Sequence, residues 1–210
     1  MRIEPKTYDI EMPTGHYVDV SDPAGADIRL EDIAHKLAQT NRFGGATYYP
    51  YPVAQHAVLV SRRMEALHCT PEECFAGLHH DDGEYIATDI QKPIKMYIEA
   101  IVEGRDVLGD LESDWQLAIE SRLELPPSAE HKARIKESDV WAVLIEAKNL
   151  LPSKGRNWRS RAAQKQWKLR GGALPDQLRT PAYWRGEMYW REARDEYLVR
   201  HYELKEVLDG

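Results

Sequence analysis

Long apolar runs are absent from this sequence, and cysteine is scarce. No stretch approaches the roughly 20 apolar residues that a membrane-spanning helix needs, and the segment Met1-Arg2-Ile3-Glu4-Pro5 lacks the hydrophobic stretch of a signal peptide. The two cysteines, Cys69 and Cys74, do not have a recognised metal-site spacing, so we interpret them as reduced thiols. These absences predict a cytoplasmic protein with no membrane partner.

Internal repeats, low-complexity tracts and linkers are also missing. The 210 residues are 42% hydrophobic and 30% charged, which is the composition of a folded globular protein long enough for a full core. We therefore predict a single domain. Residues 1–26 are predicted as an N-terminal hairpin and loop, residues 27–151 as the core, and residues 152–210 as a basic and aromatic helical extension.

Charge is unevenly distributed along the chain. Between Ser153 and Arg179, eight basic residues accompany one acid, Asp176, so this segment carries +7 in a chain whose net charge is −7. Together with Trp158 and Trp167, it could form a nucleic-acid-binding surface. A solvated helix face beside an acidic body is the more frequent explanation, so nucleic acid is a possible partner but not the favoured one.

Apolar periodicity predicts a mainly helical chain. Loose alternation around Pro13-Thr14-Gly15 fits a short β-hairpin between Thr7 and Val20. The later apolar residues recur at helical spacing. The predicted helices lie at about 27–39, 53–67, 70–86, 96–102, 108–123, 128–150 and 180–198, with Gly104 and Gly109 as breaks and Pro126-Pro127-Ser128 as the cap of the sixth. The aromatic residues of the last helix are expected in packing or subunit contacts.

The helix predicted to start at Thr70 contains the most unusual stretch, Leu78-His79-His80-Asp81-Asp82-Gly83-Glu84. Its start, Thr70-Pro71-Glu72-Glu73, supplies an N-cap hydroxyl, a proline at the first helical position and a capping box. Continuing the apolar face of this helix brings Asp81 and Asp82 to positions where a core needs hydrocarbon. A buried, unpaired carboxylate costs several kcal/mol, so these side chains need compensation. A bound metal ion would compensate them and could also do chemistry.

Three other segments offer partners for such an ion. His56 flanks the apolar face of the 53–67 helix, Asp139 lies on the apolar stripe of the 128–150 helix, and His80 adjoins Asp81. Two imidazoles and two carboxylates suit a divalent ion such as manganese, cobalt, iron or zinc, and magnesium is not distinguished from these. Taken alone, His56 would instead be a hydrogen-bonded, partly buried histidine.

The order His, His-Asp, Asp is the signature of the HD phosphohydrolase superfamily. From about Asp27 to Leu151 the chain resembles the bacterial and phage 5′-deoxynucleotidases of that superfamily. The motifs that carry the resemblance are Arg42-Phe43, Val53-Ala54-Gln55-His56, His80-Asp81 with Glu84 and Asp89, Pro93-Ile94-Lys95, and Ser138-Asp139 with Glu146-Ala147. The resemblance implies an all-α fold, the HD-domain orthogonal helical bundle, here with a short N-terminal β-hairpin.

The resemblance also implies a function and a role for each site residue. The implied metal ligands are His56, His80, Asp81 and Asp139, the catalytic carboxylates are Glu84 and Asp89, and the substrate contacts are Arg42, Phe43 and Lys95. The implied enzyme is a homo-oligomeric, divalent-metal-dependent 5′-nucleotidase that releases phosphate from deoxynucleoside monophosphates.

Alternatives remain open at this stage. The sequence departs from the family pattern at Ala57 and Gln91, and related phage proteins act on deoxynucleoside triphosphates such as dATP, so a triphosphohydrolase is the alternative within the class. A di-iron oxygenase would need further histidines, and only His79 adjoins the central pair. A nucleic-acid-binding module using the basic segment is the non-enzymatic alternative.

Overall fold

The computed structural model describes residues 8–156 and 190–210, and helices predominate in this part of the chain. The elements in chain order are β1 (Asp9–Glu11), β2 (Tyr17–Asp19), α1 (Leu30–Gln39), a 3-10 turn (Arg42–Gly45), α2 (Val53–Ala66), α3 (Pro71–Leu78), α4 (Glu84–Ala87), α5 (Lys92–Ile101), α6 (Val107–Arg122), α7 (Lys132–Leu150) and α8 (Trp190–Asp209). The predicted all-α fold with a short N-terminal hairpin is confirmed. Most of the basic segment and the predicted helix start at Thr180 lie outside the described residues.

The hairpin is tied to the first turn of α1. Strands β1 and β2 pair antiparallel with Ile10 opposite Val18. The backbone N–H of Thr14 donates to Oδ1 of Asp32 at 2.9 Å, and its hydroxyl donates to Oδ2 of the same carboxylate at 3.0 Å. Asp32 therefore connects the hairpin turn to the helical core.

Helix α2 lies at the centre of the molecule. It packs against α1, α3, α7 and α8, and every residue from Val53 to Ser61 is buried. The first turn of α2 carries His56, which is fully buried. None of the helices in residues 8–156 and 190–210 is long and apolar enough to cross a lipid bilayer.

Helix α3 begins as predicted but ends early. The Thr70 hydroxyl accepts the Glu73 N–H at 3.2 Å and the Glu73 carboxylate accepts the Thr70 N–H at 2.8 Å, which confirms the capping box. The prediction that this helix continues to about residue 86 is wrong, because the chain leaves the helix after Leu78 and turns through residues 79–83 before α4.

At Gly83 the turn passes very close to α6. A Cβ at position 83 would lie 2.4 Å from the backbone carbonyl oxygen of Glu112 on α6, far inside van der Waals contact. The Gly83 N–H donates to Oε1 of Gln116, also on α6, at 3.1 Å. The turn is thus held against α6 at a distance that only glycine allows.

Of the two glycines predicted to separate helices, only one does so. Gly104 follows α5 and has φ +80°, a left-handed conformation that ends helices. Gly109 lies instead within the first turn of α6, where its N–H donates to Oδ1 of the N-cap residue Asp106 at 3.0 Å. Its lack of a side chain serves the cap, since a Cβ there would lie 2.4 Å from the Asp106 carboxylate.

Helix α7 starts later than predicted and without the predicted cap. The Ser128 N–H donates to Oε1 of Glu120 at 3.1 Å, and residues 128–131 form a turn. His131 precedes the first helical residue, Lys132, and its side chain makes no capping hydrogen bond.

Candidate metal centre and adjoining cleft

Four predicted ligands converge from three parts of the fold. His56 comes from α2, His80 and Asp81 from the turn after α3, and Asp139 from α7. Oδ2 of Asp81 lies 3.3 Å from Nε2 of His80 and 3.6 Å from Nε2 of His56. Oδ1 of Asp139 lies 3.5 Å from the same Nε2 of His56. The ligand atoms of His56, His80 and Asp81 all lie within 4.8 Å of one another.

The two Nε2 atoms lie near carboxylates but have no hydrogen-bond partner among the described residues. Both are buried. A buried polar atom without a partner is costly, and such atoms are rare in folded proteins. Two of them beside the Asp81 carboxylate form a cluster that could hold a metal ion.

The Nδ1 atoms of His80 and His56 have close partners that fix the orientation of each ring. Nδ1 of His80 lies 2.8 Å from the carbonyl oxygen of Gly77, which can only accept, so Nδ1 carries the proton and Nε2 keeps its lone pair. Nδ1 of His56 lies 2.6 Å from Oε1 of the fully buried Glu146. Carbonyl and carboxylate partners of this kind orient histidine ligands in metal sites.

Arg42 lies inside the protein beside this cluster. Its Nε donates to Oε2 of Glu146 at 3.2 Å, and its Nη1 is 3.7 Å from Oδ2 of Asp81. Burial opposes its charge, but these carboxylates outweigh burial and raise the pKa of Arg42. Burial likewise opposes ionisation of Glu146, yet His56 and Arg42 outweigh it and lower the pKa of that carboxyl. Arg42 therefore neutralises acids of the site.

The two predicted catalytic carboxylates occupy different places. Glu84 is the first residue of α4, and its buried Oε2 has no hydrogen-bond partner among the described residues. Burial raises the pKa of Glu84 well above its ordinary value, and the nearby Asp81 and Asp89 carboxylates raise it further. Asp89 follows α4, and its Oδ2 accepts the backbone N–H of Phe43 at 3.1 Å. Asp89 thus holds the turn that carries Arg42 and Phe43.

Phe43 is half-buried on this turn. Its φ is +57°, and its ring centroid lies 5.7 Å from the Arg42 guanidinium carbon. The Gln91 side-chain amide donates to the Phe43 carbonyl. Gln91, which departs from the resembled family pattern, therefore holds the backbone of the predicted substrate-contact residue.

A cleft of about 410 Å³ opens from the metal-ligand cluster between α6 and α7. We call it the α6–α7 cleft. His80, Asp81, Glu84 and Asp139 line one end of it. Glu112, Gln116 and Glu120 of α6 line one wall, and Lys132 and Lys136 of α7 line the other. Arg42, Phe43, Asp89 and Lys95 are not among its lining residues, and Nζ of Lys95 instead pairs with the Glu112 carboxylate at 2.5 and 2.7 Å.

A second polar cluster lies behind the ligand turn and was not predicted. Nδ1 of His79 lies 2.6 Å from Oδ2 of Asp82, and the Tyr197 hydroxyl donates to Oδ1 of Asp82 at 2.5 Å. Nε2 of His79 lies 2.9 Å from Nδ1 of His201. Asp82 is buried as predicted, although the helix expected to carry it ends at Leu78. Part of its compensation comes from His79, three residues earlier, and part from Tyr197 of α8, a distant pairing for which the sequence carries no local signal.

Comparison with known proteins identifies relatives of this chain, and none of those found has a characterised activity. No family model matches the chain. An uncharacterized protein of Rhodobacter capsulatus is 33% identical over 145 residues, which cover 66% of this chain and 71% of that protein. The uncharacterized protein YfdR of Escherichia coli K12 is 30% identical over 133 residues, which cover 63% of this chain and 66% of YfdR. The chain therefore belongs to the same family as the uncharacterized Rhodobacter capsulatus protein.

Proposed function

We propose that this protein is a divalent-metal-dependent phosphohydrolase that acts on deoxynucleotides. The observation that carries the proposal is the pair of buried, unpartnered Nε2 atoms of His56 and His80, which lie beside Asp81. Asp139 would complete a set of two imidazoles and two carboxylates, which suits manganese, cobalt, iron or zinc and is compatible with magnesium. The sequence resemblance to HD-domain phosphohydrolases supports the same assignment.

The metal ion and Glu84 have different roles in the proposed reaction. A divalent ion bound there would supply Lewis-acid chemistry, polarising a phosphoryl oxygen and making water easier to deprotonate. Glu84 lines the cleft with a carboxylate oxygen that no described residue hydrogen-bonds, and a carboxyl whose pKa burial has raised is suited to accept and return a proton. Glu84 is therefore our candidate general base.

Arg42 and Asp89 would support the site from outside the cleft. Arg42 offsets the charge of Asp81 and Glu146, so both acids can stay ionised without an excess of buried negative charge. Asp89 fixes the backbone of Phe43. In this proposal Arg42 and Asp89 position the site, while Glu84, which lines the cleft, would meet the substrate.

A screen that crosses metal ions with substrates tests the proposal. Manganese, cobalt, iron, zinc and magnesium would each be combined with the mono- and triphosphates of the common nucleosides, and products would be identified. Inorganic phosphate from a monophosphate indicates the 5′-nucleotidase implied by the resemblance. Tripolyphosphate from a triphosphate indicates the alternative triphosphohydrolase.

The screen would be repeated with Asp81→Ala, a variant that lacks one candidate metal ligand. It removes the carboxylate that lies near both imidazoles, so metal binding and turnover should both be lost. The fold should survive, because Arg42 still pairs with Glu146. Full activity with normal metal content in this variant, or no hydrolysis of any nucleotide by the unmodified protein, would overturn the proposal.

A further inference from the structure

The candidate metal centre depends on one segment that is not helical, the ligand turn of residues 79–83. His56 and Asp139 lie within α2 and α7, where helical hydrogen bonds fix the backbone. His80 and Asp81 instead lie between α3 and α4. Whether all four side chains can meet at one ion therefore depends on where the ligand turn is placed.

The ligand turn has little hydrogen bonding of its own. Within residues 79–83, which the structure describes in full, one backbone hydrogen bond joins two residues of the turn. It runs from the Asp82 N–H to the His79 carbonyl oxygen and is long, at 3.3 Å. One long bond does not fix the backbone of five residues, so contacts from other elements must place the turn.

Gln116 of α6 binds both ends of the ligand turn. Its Nε2 donates to the His79 carbonyl oxygen at 2.8 Å, and its Oε1 accepts the Gly83 N–H at 3.1 Å. Both partners are backbone groups, so the contact holds the path of the chain itself. The residues between the two bonded groups include the candidate ligands His80 and Asp81.

The Gln116 amide has a single orientation that satisfies its partners. A carbonyl oxygen can only accept and a backbone N–H can only donate, so Nε2 must face His79 and Oε1 must face Gly83. Oε1 of Glu120, one turn further along α6, accepts a second hydrogen bond from Nε2 at 2.9 Å. The same Glu120 oxygen accepts the Ser128 N–H at 3.1 Å. The amide is therefore held in place before any ion binds.

A small displacement of the ligand turn would separate the ligands. Oδ2 of Asp81 lies 3.6 Å from Nε2 of His56 and 3.3 Å from Nε2 of His80, whereas nitrogen and oxygen ligands lie about 2 Å from an ion such as zinc. A shift of about 1 Å is enough to loosen a site of this kind. The Tyr197 hydroxyl holds the Asp82 side chain from α8, but the contacts of Gln116 are the ones that hold the backbone at both ends.

We propose that Gln116 is a positioning residue of the metal centre. Its amide fixes the backbone of the ligand turn, so that His80 and Asp81 are held where they can share an ion with His56 and Asp139. The inference rests on the metal centre of the proposed function and extends it to a side chain of α6 that is not itself a candidate ligand.

Gln116→Met tests the role of the amide, with Asp106→Ala as the control. Methionine has a similar length but makes neither hydrogen bond to the turn. We expect Co²⁺ to bind about 10- to 100-fold more weakly, the usual effect of losing support for a metal ligand. The visible absorption bands of bound Co²⁺, which report the geometry of its ligands, should also change. Asp106 caps the same helix at Gly109, so Asp106→Ala weakens α6 but should leave both the Co²⁺ affinity and the bands unchanged.

A second variant covers the case in which Gln116→Met does not fold, which unfolding curves of the metal-free proteins would show. Gln116→Glu keeps an acceptor for the Gly83 N–H but cannot donate to the His79 carbonyl, so weaker Co²⁺ binding is again expected. Unchanged affinity and bands in the folded Gln116 variant would overturn the inference. An equal loss in Asp106→Ala would also overturn it, because the effect would then come from the stability of α6.

These measurements use no nucleotide, which separates the inference from the proposed activity. Weaker Co²⁺ binding by the Gln116 variant supports the inference even if no nucleotide is hydrolysed. Unchanged binding overturns it even if the unmodified protein is a phosphohydrolase. Failure of the unmodified protein to bind Co²⁺ or any other divalent ion of the screen would overturn both.

Discussion

Nδ1 of His56 lies 2.6 Å from Oε1 of Glu146, and both side chains are fully buried. The carboxylate accepts the Nδ1 proton and orients the ring so that Nε2 faces Asp81 and Asp139. Burial and Arg42 would lower the pKa of His56, but Glu146 and Asp139 outweigh them and raise it to about 9. Glu146 therefore controls both the orientation and the basicity of a candidate metal ligand.

Glu146→Gln should lower metal affinity by about 10- to 100-fold, the usual effect of losing such a partner of a histidine ligand. The neutral amide no longer increases the basicity of the imidazole. Competition with a chromophoric chelator measures the affinity, and an unfolding curve of the metal-free variant checks that it is folded. Glu130→Gln, an exposed acid just before α7, is the control. Unchanged affinity in Glu146→Gln would show that the carboxylate does not tune the site.

Glu84→Gln should separate proton transfer from metal binding. The substitution keeps the size of the side chain but cannot accept a proton, so turnover should fall about 100-fold or more. Metal content, measured by elemental analysis, should stay normal because Glu84 is outside the ligand cluster. Loss of metal together with activity would instead make Glu84 a ligand.

Phe43→Ala asks whether the ring contacts a base. Stacking on an aromatic side chain contributes about 1–3 kcal/mol per base in single-strand binders, so the KM for nucleotides should rise about tenfold or more. Hydrolysis of p-nitrophenyl phosphate, which has no base, should barely change. If both substrates are affected equally, Phe43 is a packing residue. Base recognition would then be sought at Tyr48 and Tyr49, which are exposed, and not at the buried Tyr51.

His201 should make the folded state less stable in mild acid. Burial lowers its pKa to about 3, with the neighbouring His79 and Lys205 acting in the same direction. Below about pH 6.5 the unfolded chain binds a proton that folded His201 does not accept, so the free energy of unfolding falls as the pH drops toward 3. Denaturant unfolding of metal-free protein at pH 7.5 and 5.5 measures this loss. The loss should be smaller in His201→Gln and unchanged in His68→Asn, which alters an exposed histidine. Equal losses in all three proteins would contradict the assignment.

Local signals predicted much of the fold and the ligand cluster. The apolar face of α1 and the capping box at Thr70 depend on residues within one or two helical turns, and both were predicted. His56, His80 and Asp81 were brought together because each lay on or beside an inward face and the family order connected them. The helix face and the cap are set by neighbours in sequence, so periodicity and capping rules detect them, whereas the ligand cluster needed the resemblance to connect its parts.

The remaining features depend on contacts between distant segments. Helical periodicity continued α3 to about residue 86 because it cannot register how closely the backbone at Gly83 approaches the Glu112 carbonyl of α6. Lys95 looked free for a substrate because its partner, Glu112, lies on another helix. Ser128, a good capping residue, led to the wrong prediction that α7 starts there. Its backbone N–H is instead bonded to Glu120, and α7 starts at Lys132 without a side-chain cap.

The contacts of the ligand turn with α8 also set the order in which the site can assemble during synthesis. Asp82 adjoins Asp81 in the chain, but Tyr197, whose hydroxyl donates to it, lies 115 positions later. His201, which contacts His79, lies 122 positions after it. While a ribosome is still making the intervening residues, Asp82 and His79 have each other but lack the Tyr197 hydroxyl and the His201 ring. Ion capture by a nascent chain should therefore be weak until α8 has emerged and docked.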